Sequence, residues 1–267
     1  MYGDRLSRVH ADSSIALATI HLVFNLATSM FFLMLITPFT RLIDFVLGEG
    51  KMDFERLALP VFEADMDFAA VKAKLEGNLE RLLYFLQENY NTVTLSIETN
   101  YQGIYNAAEM RIESIEFVKK DYLGYFSKIV SALHDQADSK ALIRIINQFD
   151  YLFQIHDSID DLFSARKVMS EHFIELRTDI VLLIRDLSSQ TLNLFDEIHK
   201  AMLDRSALDI KQKSRVLQDH LDDANRQLLS LLADPIRRDA GALTNFVTYS
   251  QRLKDKLINF AENRLTS

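Results

Sequence analysis

Residues 152–162, LFQIHDSIDDL, and residues 250–260, SQRLKDKLINF, share one pattern of apolar and acidic positions. In both stretches apolar residues recur every three or four positions, which is the period of an amphipathic α-helix. Asp157 and Asp255 occupy the same place in the two patterns. Since the two stretches fall in two successive groups of helical stripes, they predict an all-α protein built from two similar halves.

Six apolar stripes of helical period account for most of the chain, and they predict six helices in two sets of three. The first helix is predicted at about 63–91, and the third from Ser139 to about Leu176. The stripes run through Leu75–Leu86, Ile104–Leu133, Leu142–Leu162, Ile180–Ile198, Leu217–Leu231 and Leu243–Phe260. Stripes of this spacing bury against one another, so we expect two three-helix bundles.

The composition agrees with helices and excludes several classes of function. Only 7 Gly and 3 Pro occur among 267 residues, too few for the turns of a sandwich, barrel or propeller. The absence of Cys excludes disulfides, thiolate metal sites and thiol nucleophiles. The formal charge of −8, without a basic cluster, argues against nucleic acid as a partner.

The apolar residues are concentrated near the start of the chain. Residues 13–40 contain no Lys, Arg, Asp or Glu, and this uncharged run is long enough for a membrane helix or a short hairpin. The run is too long for a signal peptide, so we expect it to be retained. Basic residues flank it on both sides, so charge leaves its orientation open. The expected domains are 1–48, a membrane element, and 52–267, an acidic helical domain.

The paired stretches resemble a known family. Gln251 to Asp255, continuing through Ala261 and Glu262, is similar to the helix that carries a Glu-Arg-Ile-x-Asp-type signature in PhoU-like domains, which consist of two three-helix bundles. The segment Ala16–Asn25, followed by Pro38, resembles the last membrane element of the sodium/phosphate cotransporter family. Bacterial members of that family commonly have the transporter first and the PhoU-like part second.

The resemblance implies a regulatory domain attached to the remnant or end of a sodium-dependent phosphate transporter. Such a protein would modulate phosphate transport or signalling through helix contacts, without enzymatic activity. Its partners would be the remaining transporter helices or a phosphate-signalling protein, with assembly into a homo-oligomer left open. Its location would be the cell (inner) membrane, with the helical domain in the cytoplasm. The alternative is a membrane-anchored helical signalling or scaffold protein unrelated to phosphate.

The resemblance also implies a metal site, but this chain lacks part of it. PhoU-like domains have a second carboxylate four residues before the positions of Asp157 and Asp255, where this sequence has Phe153 and Gln251. We therefore expect weak binding of Fe, Mn or Zn at most. Asp219 and Asp223, spaced by four residues, are further candidates. The favoured interpretation of all these carboxylates is a solvated acidic face.

Two further polar features allow competing interpretations. His21 and Asn25 share one face of the predicted membrane helix, either in an ion or phosphate pathway or, as we favour, in hydrogen bonds to partner helices. His156 adjoins Asp157, and a surface histidine is the favoured interpretation over a metal or proton group. No phosphate-binding loop, dinucleotide motif or His-Glu-x-x-His motif occurs, so we expect no enzymatic activity. The Gln-Ser-Ser-Ser-type loops of the transporter family are missing as well.

Overall fold

The computed structural model describes residues 20–32, 57–61, 68–133, 135–204, 208–232 and 239–265, and the regular structure in these ranges is helical. The chain divides into two compact units, Met1–Glu55 and Arg56–Ser267. The first unit contains helix α1 (20–32). The second contains α2 (Phe68–Thr99), α3 (Gln102–Ala132), α4 (Gln136–Glu171), α5 (Thr178–Asp204), α6 (Leu208–Leu232) and α7 (Asp239–Leu265). The prediction of an all-α fold is confirmed.

The six long helices form two bundles of three. Helices α2, α3 and α4 pack together as the first bundle, and α5, α6 and α7 as the second. The bundles join where α4 packs along α7 and α2 along α5. Three pairs cross between α4 and α7, namely Asp161–Arg252 at 2.6 Å, Gln154–Lys256 at 2.6 Å and Gln148–Arg264 at 3.3 Å. Since residue numbers rise on one helix as they fall on the other, α4 and α7 are antiparallel.

An aromatic cluster forms the centre of the first bundle. The Tyr122 ring on α3 lies with its centroid 4.6 Å from that of Phe149 on α4, and Phe149 lies 6.1 Å from Phe153. The Tyr122 hydroxyl accepts a 2.6 Å hydrogen bond from Asn78 and donates to the carbonyl of Leu57 over 3.3 Å. Burial raises the pKa of Tyr122, so its hydroxyl stays a neutral donor. The cluster ties all three helices of this bundle together.

Helix α2 continues to Thr99, so the predicted end near residue 91 is wrong. The buried face continues through Val93 and Ile97, and the Thr94 hydroxyl donates to the carbonyl of Tyr90, which satisfies its polar group inside the helix. The helix stops at Asn100, whose φ of 51° breaks the helical hydrogen-bond pattern. Polar residues interrupt the apolar stripe between residues 91 and 99, so the sequence alone did not predict that the helix continues.

Helix α4 begins at Gln136, before the predicted Ser139, because Asp135 caps it. One carboxylate oxygen of Asp135 accepts hydrogen bonds of 2.8 Å and 2.9 Å from the amides of Ala137 and Asp138. These are donors that a helix start leaves unpaired, so the cap fixes where the helix begins.

The end of α4 is a Schellman motif, which stops the helix at Glu171 and not at Leu176 as predicted. The amide of Phe173 donates to the carbonyl of Ser170 over 3.3 Å, and that of Ile174 to Met169 over 2.9 Å. Phe173 takes a φ of 51°, the left-handed conformation that this motif requires. The turn brings Ile174 back to the last turns of α4.

Among the described residues, no helix is both long and apolar enough to cross a membrane. Of the apolar run 13–40, only the part in α1 belongs to the described residues, and its side chains there are mostly exposed. The predicted boundary between the domains 1–48 and 52–267 lies outside the described residues. The membrane element accordingly stays a prediction.

Candidate metal centre

Three ligand-type side chains meet where α3 packs against α4 in the first bundle. Glu116 belongs to α3, and His156 and Asp157 are successive residues of α4. One ligand atom of each lies within 4.8 Å of the others, and Glu116 Oε1 is 3.2 Å from His156 Nε2. In the part of the chain that the structure describes, this is the one such group of three His, Asp or Glu side chains. We call it the α3–α4 cluster.

His156 is fully buried, so its interpretation as a surface histidine is wrong. Burial lowers the pKa of the imidazole below 6.5, while the charges of Glu116 and Asp157 act in the opposite direction. Nδ1 is buried and has no hydrogen-bond partner. Nε2 is the ring nitrogen that faces Glu116, so it is the atom that a metal ion in this cluster would bind, and the neutral imidazole that burial favours is the form that binds one.

Lys119 already supplies a positive charge to this cluster. Its Nζ lies 2.7 Å from Asp157 Oδ1 and 3.9 Å from Glu116 Oε1. Two carboxylates and an imidazole suit a borderline divalent cation such as Fe, Mn or Zn, so the residues fit a metal ion. Any cation that binds Asp157 must compete with the ammonium group, which supports the expectation of weak binding.

Phe153 has a structural role at the position where the resemblance implies a carboxylate. Its side chain is buried and belongs to the aromatic cluster, with its ring centroid 6.4 Å from that of Tyr122. The ring therefore points into the core of the bundle and supplies no ligand. Asp157 is complemented from α3, by Glu116, and not by a second acid of its own helix.

Asp255 has different neighbours in the second bundle. Gln251 Nε2 lies 3.5 Å from Asp255 Oδ1 and donates to Gln218 Oε1 of α6 over 3.2 Å. Lys254 is buried, donates to Gln218 Oε1, and has its Nζ 3.3 Å from Asp255 Oδ1. We call these four residues the α6–α7 cluster. One carboxylate beside a buried ammonium does not fit a metal ion.

Asp219 and Asp223 lie on the exposed face of α6. Asp223 pairs with Arg226 one turn further along the same helix, and the neighbouring Asp222 accepts a 2.8 Å hydrogen bond from Gln218. Among the described residues, Asp219, Asp223 and Asp255 do not join Asp157 in the one group of three ligand-type side chains. The solvated acidic face is the interpretation that fits Asp219 and Asp223.

His21 and Asn25 lie on one face of α1, as their spacing predicts. Asn25 Nδ2 is 3.4 Å from His21 Nε2, and both side chains are exposed. The pair is thus formed within one helix, and its role in an ion pathway or in contacts to partner helices stays a prediction.

The sequence indicated Asp157, gave His156 as a metal group only in the less favoured interpretation, and did not indicate Glu116. His156 follows Leu152 by four residues and precedes Ile159 by three, which places it on the buried face of α4, so the helical period itself contained this signal. Glu116 lies forty positions before His156, and no local pattern connects the two residues. Only the packing of α3 against α4 brings them together.

Comparison with known proteins supports the same fold. Neither a family model nor a curated protein matches the sequence. The structure is similar to the crystal structure of PhoU from Pseudomonas aeruginosa, with a TM-score of 0.64, 17% identity, and coverage of 74% of this chain and 97% of that chain. It is also similar to the phosphate transport system regulatory protein PhoU from Streptococcus pneumoniae, with a TM-score of 0.61, 14% identity, and coverage of 75% and 97%. The chain has a PhoU-like fold.

Proposed function

We propose that this protein is a PhoU-like regulator attached to the remnant or end of a sodium-dependent phosphate transporter. It modulates phosphate transport or phosphate signalling through helix contacts and not through catalysis. The observation that carries the proposal is the six-helix fold, which is similar to almost the whole length of the Pseudomonas aeruginosa PhoU structure. The regulated process is inferred from that likeness together with the sequence resemblance.

The transporter part of the proposal rests on the sequence. Residues 13–40 form an uncharged apolar run directly before the helical domain, with a cotransporter-like stretch at Ala16–Asn25. We propose that this run associates with the inner membrane and contacts the remaining transporter helices, while the helical domain faces the cytoplasm. His21 and Asn25 are suited to hydrogen bonds with those helices, since polar side chains in a bilayer usually face protein or water.

Phosphate uptake in cells tests the regulatory role. Cells that lack the gene are complemented with the full chain, with Leu257→Asp, or with Leu203→Asp as a control. Leu257 is fully buried, whereas Leu203 is 70% exposed, so only the first substitution should disrupt the bundle. We expect sodium-dependent uptake of radioactive phosphate to change on deletion and to be restored by the full chain and by Leu203→Asp only.

The alternative function makes a different prediction in the same cells. A membrane-anchored scaffold unrelated to phosphate would fractionate with membranes, yet its deletion would leave phosphate uptake unchanged at both low and high external phosphate. That result would contradict the regulatory proposal. The full chain alone in liposomes should give the same uptake as empty vesicles, because it lacks the two inverted repeats that transport requires.

We also propose that the α3–α4 cluster binds Fe, Mn or Zn weakly. Glu116 and Asp157 would supply oxygen ligands and His156 a nitrogen ligand, and the metal would supply a positive charge between α3 and α4. Elemental analysis of the full chain should show substoichiometric metal, lowered by Asp157→Asn and unchanged by the exposed control Asp219→Asn. Equal metal content in the two variants would place the ligands elsewhere.

A further inference from the structure

A pocket of about 210 Å³ opens at the end of the first bundle, where α2 and α4 end and α5 begins. Arg166 lines it from α4, ten residues after His156 and hence about 15 Å further along the helix. The pocket is therefore separate from the α3–α4 cluster. Its apolar lining includes Ile97, Met169, Ile174 and Val181.

Arg166 is buried at this pocket without a carboxylate partner. It is 4% exposed, and among the described residues no Asp or Glu forms an ion pair with it. Its Nε donates to the carbonyl of Ser96 over 2.9 Å, and its Nη2 donates to the side-chain oxygen of Asn100. A guanidinium carries five N–H donors, so these two bonds leave donors uncommitted.

The charge of Arg166 is only partly compensated. Ser96 lies in the last turn of α2, where the helix dipole favours a cation, and the Tyr105 ring lies under the guanidinium at 5.5 Å. Burial lowers the pKa of Arg166, which reflects the cost of a poorly solvated cation. A bound anion would reduce that cost, since a buried charge is stabilised by a hydrogen-bonded partner of opposite sign.

The surrounding charges favour an anion with a single charge. Glu98 also lines the pocket and pairs with Arg185 over 2.9 Å, and Glu175 lies at the exposed edge. Together with Arg166, these three side chains carry no net charge. A phosphate dianion would bring two negative charges towards two carboxylates, whereas a planar carboxylate matches the fork of the guanidinium.

We propose that this pocket binds a carboxylate carried on a short apolar body, with Arg166 as its anchor. The apolar lining contacts the body, and the uncommitted N–H groups of Arg166 bind the carboxylate. Two sources offer this chemistry, a small free carboxylic acid and the C-terminal residue of a peptide. The site is independent of the proposed metal binding and of the proposed role in phosphate regulation.

The edge of the pocket has features that the fold alone does not require. Phe173 is 91% exposed and keeps a φ of 51°, at a position where glycine is the usual residue. Its Schellman motif brings Ile174 to Met169, and both residues line the pocket. Tyr101, 65% exposed, follows Asn100 directly. Strained or exposed residues beside a pocket are more typical of binding sites than of surfaces selected for stability alone.

Methyl NMR of the full chain tests the site directly. The probes are 4-methylpentanoate for the free acid, N-acetyl-leucine for the peptide C-terminus, and N-acetyl-leucinamide as the uncharged control. We expect both carboxylates, and not the amide, to shift the methyl signals of Ile97, Met169 and Val181 in a saturable manner. Tighter binding of N-acetyl-leucine would identify a peptide source, and tighter binding of 4-methylpentanoate a free acid.

Four variants separate binding from folding. Arg166→Met should abolish the shifts, and Arg166→Lys should weaken them, because lysine keeps the charge but loses the fork. Glu175→Gln should tighten binding about two- to fivefold, the size of an exposed charge interaction, whereas Glu171→Gln outside the pocket should not. A structural role for Arg166 cannot produce the gain from Glu175→Gln.

Four outcomes would overturn the proposal. The first is the absence of saturable shifts with either carboxylate, and the second is equal shifts with the amide. The third is shifts that persist in a folded Arg166→Met protein. The fourth is tighter binding of inorganic phosphate than of the carboxylates. None of these outcomes affects the uptake assay, so a failure here is distinguishable from a failure of the proposed function.

Discussion

The two bundles share a helix order but differ in the charge that they bury. When 152–162 is aligned with 250–260, His156 corresponds to Lys254, and each faces a residue of the preceding helix, Glu116 in the first bundle and Gln218 in the second. The first bundle thus contains a neutral imidazole beside acids, and the second contains an ammonium beside amides and one acid. The same helix packing supports two different electrostatic arrangements.

This difference leads to different expectations for metal binding in the two bundles. In the α6–α7 cluster the positive charge beside Asp255 is the side chain of Lys254, so no cation from solution is needed to balance this carboxylate. In the α3–α4 cluster burial lowers the pKa of His156, which favours its neutral form, and the half-buried Lys119 is the cation beside Asp157. We therefore expect a divalent cation to bind in the first bundle and not in the second.

The largest expected difference between the bundles concerns core stability. Phe149→Ala in the aromatic cluster should lower the free energy of unfolding by about 3–5 kcal/mol, since it removes a fully buried ring. Val247, at the corresponding position of α7, is also buried, and Val247→Ala should cost about 1–3 kcal/mol. Urea denaturation of the full chain measures both values. Equal costs would show that the two cores are equally packed.

Introducing carboxylates into the α6–α7 cluster should create a metal site there. Gln218→Glu and Gln251→Glu bring the cluster to three carboxylates together with Asp255, and Lys254→Ala removes the competing ammonium. We expect metal content to rise by about one equivalent per chain, because oxygen ligands of high charge bind divalent cations. The matched control is the same triple variant with Asp255→Ala.

Gln251→Glu alone separates the two reasons for which we expect no metal at the α6–α7 cluster, the ammonium of Lys254 and the shortage of ligands. If the ammonium of Lys254 excludes metal, the single variant should change metal content little, because the new carboxylate pairs with that lysine. If the shortage of ligands is the cause, the single variant should raise the occupancy. Elemental analysis distinguishes these results, and a large increase would contradict our account of Lys254.

The pH dependence of stability near pH 6–7 should come mainly from His156 in the first bundle. Its pKa lies below 6.5 in the folded protein because of burial, so the unfolded chain binds more protons near pH 6. Stability should therefore fall as the pH is lowered from 7.5 through 6.5 and level off below the folded pKa. The groups facing the imidazole are Glu116, Lys119, Asp157 and Asp160, and burial raises the pKa of Asp160.

Urea midpoints across this pH range test the effect. His156→Gln should flatten the decrease, because glutamine does not titrate. His199 of α5 is also partly buried with a lowered pKa, so His199→Gln should remove a smaller, additive part. An unchanged slope in His156→Gln would show that this imidazole does not control the transition.

The helical period predicted the fold because every long helix buries one continuous face. Residues such as Leu82 and Leu257 are fully buried, as their stripes predicted. The ends of helices were predicted less well, since they depend on single residues. The cap at Asp135 and the left-handed Phe173 set the limits of α4, and no apolar pattern contains that information.

The candidate sites were less predictable because they combine distant segments. The i, i+4 rule identifies pairs on one helix, but the cluster of Glu116 and His156 spans two helices. Lys254 shows the same limit. In the sequence it is a charged residue within an amphipathic helix, and only the structure shows that it is buried and bonded to Gln218 of α6. Electrostatic partners on neighbouring helices follow from packing and not from spacing.

The smallest expected effect concerns the two left-handed residues that end α2 and α4. Phe173 and Asn100 both have a φ of 51°, but asparagine adopts this conformation more readily than phenylalanine. Phe173→Gly should therefore raise the free energy of unfolding by about 0.5–1 kcal/mol, the strain relieved less the entropy that glycine adds to the unfolded chain. Asn100→Gly should give no gain, because it also removes the hydrogen bond to Arg166. Thermal unfolding of both variants tests the comparison, and a loss of stability in Phe173→Gly would show that the exposed ring has a structural role.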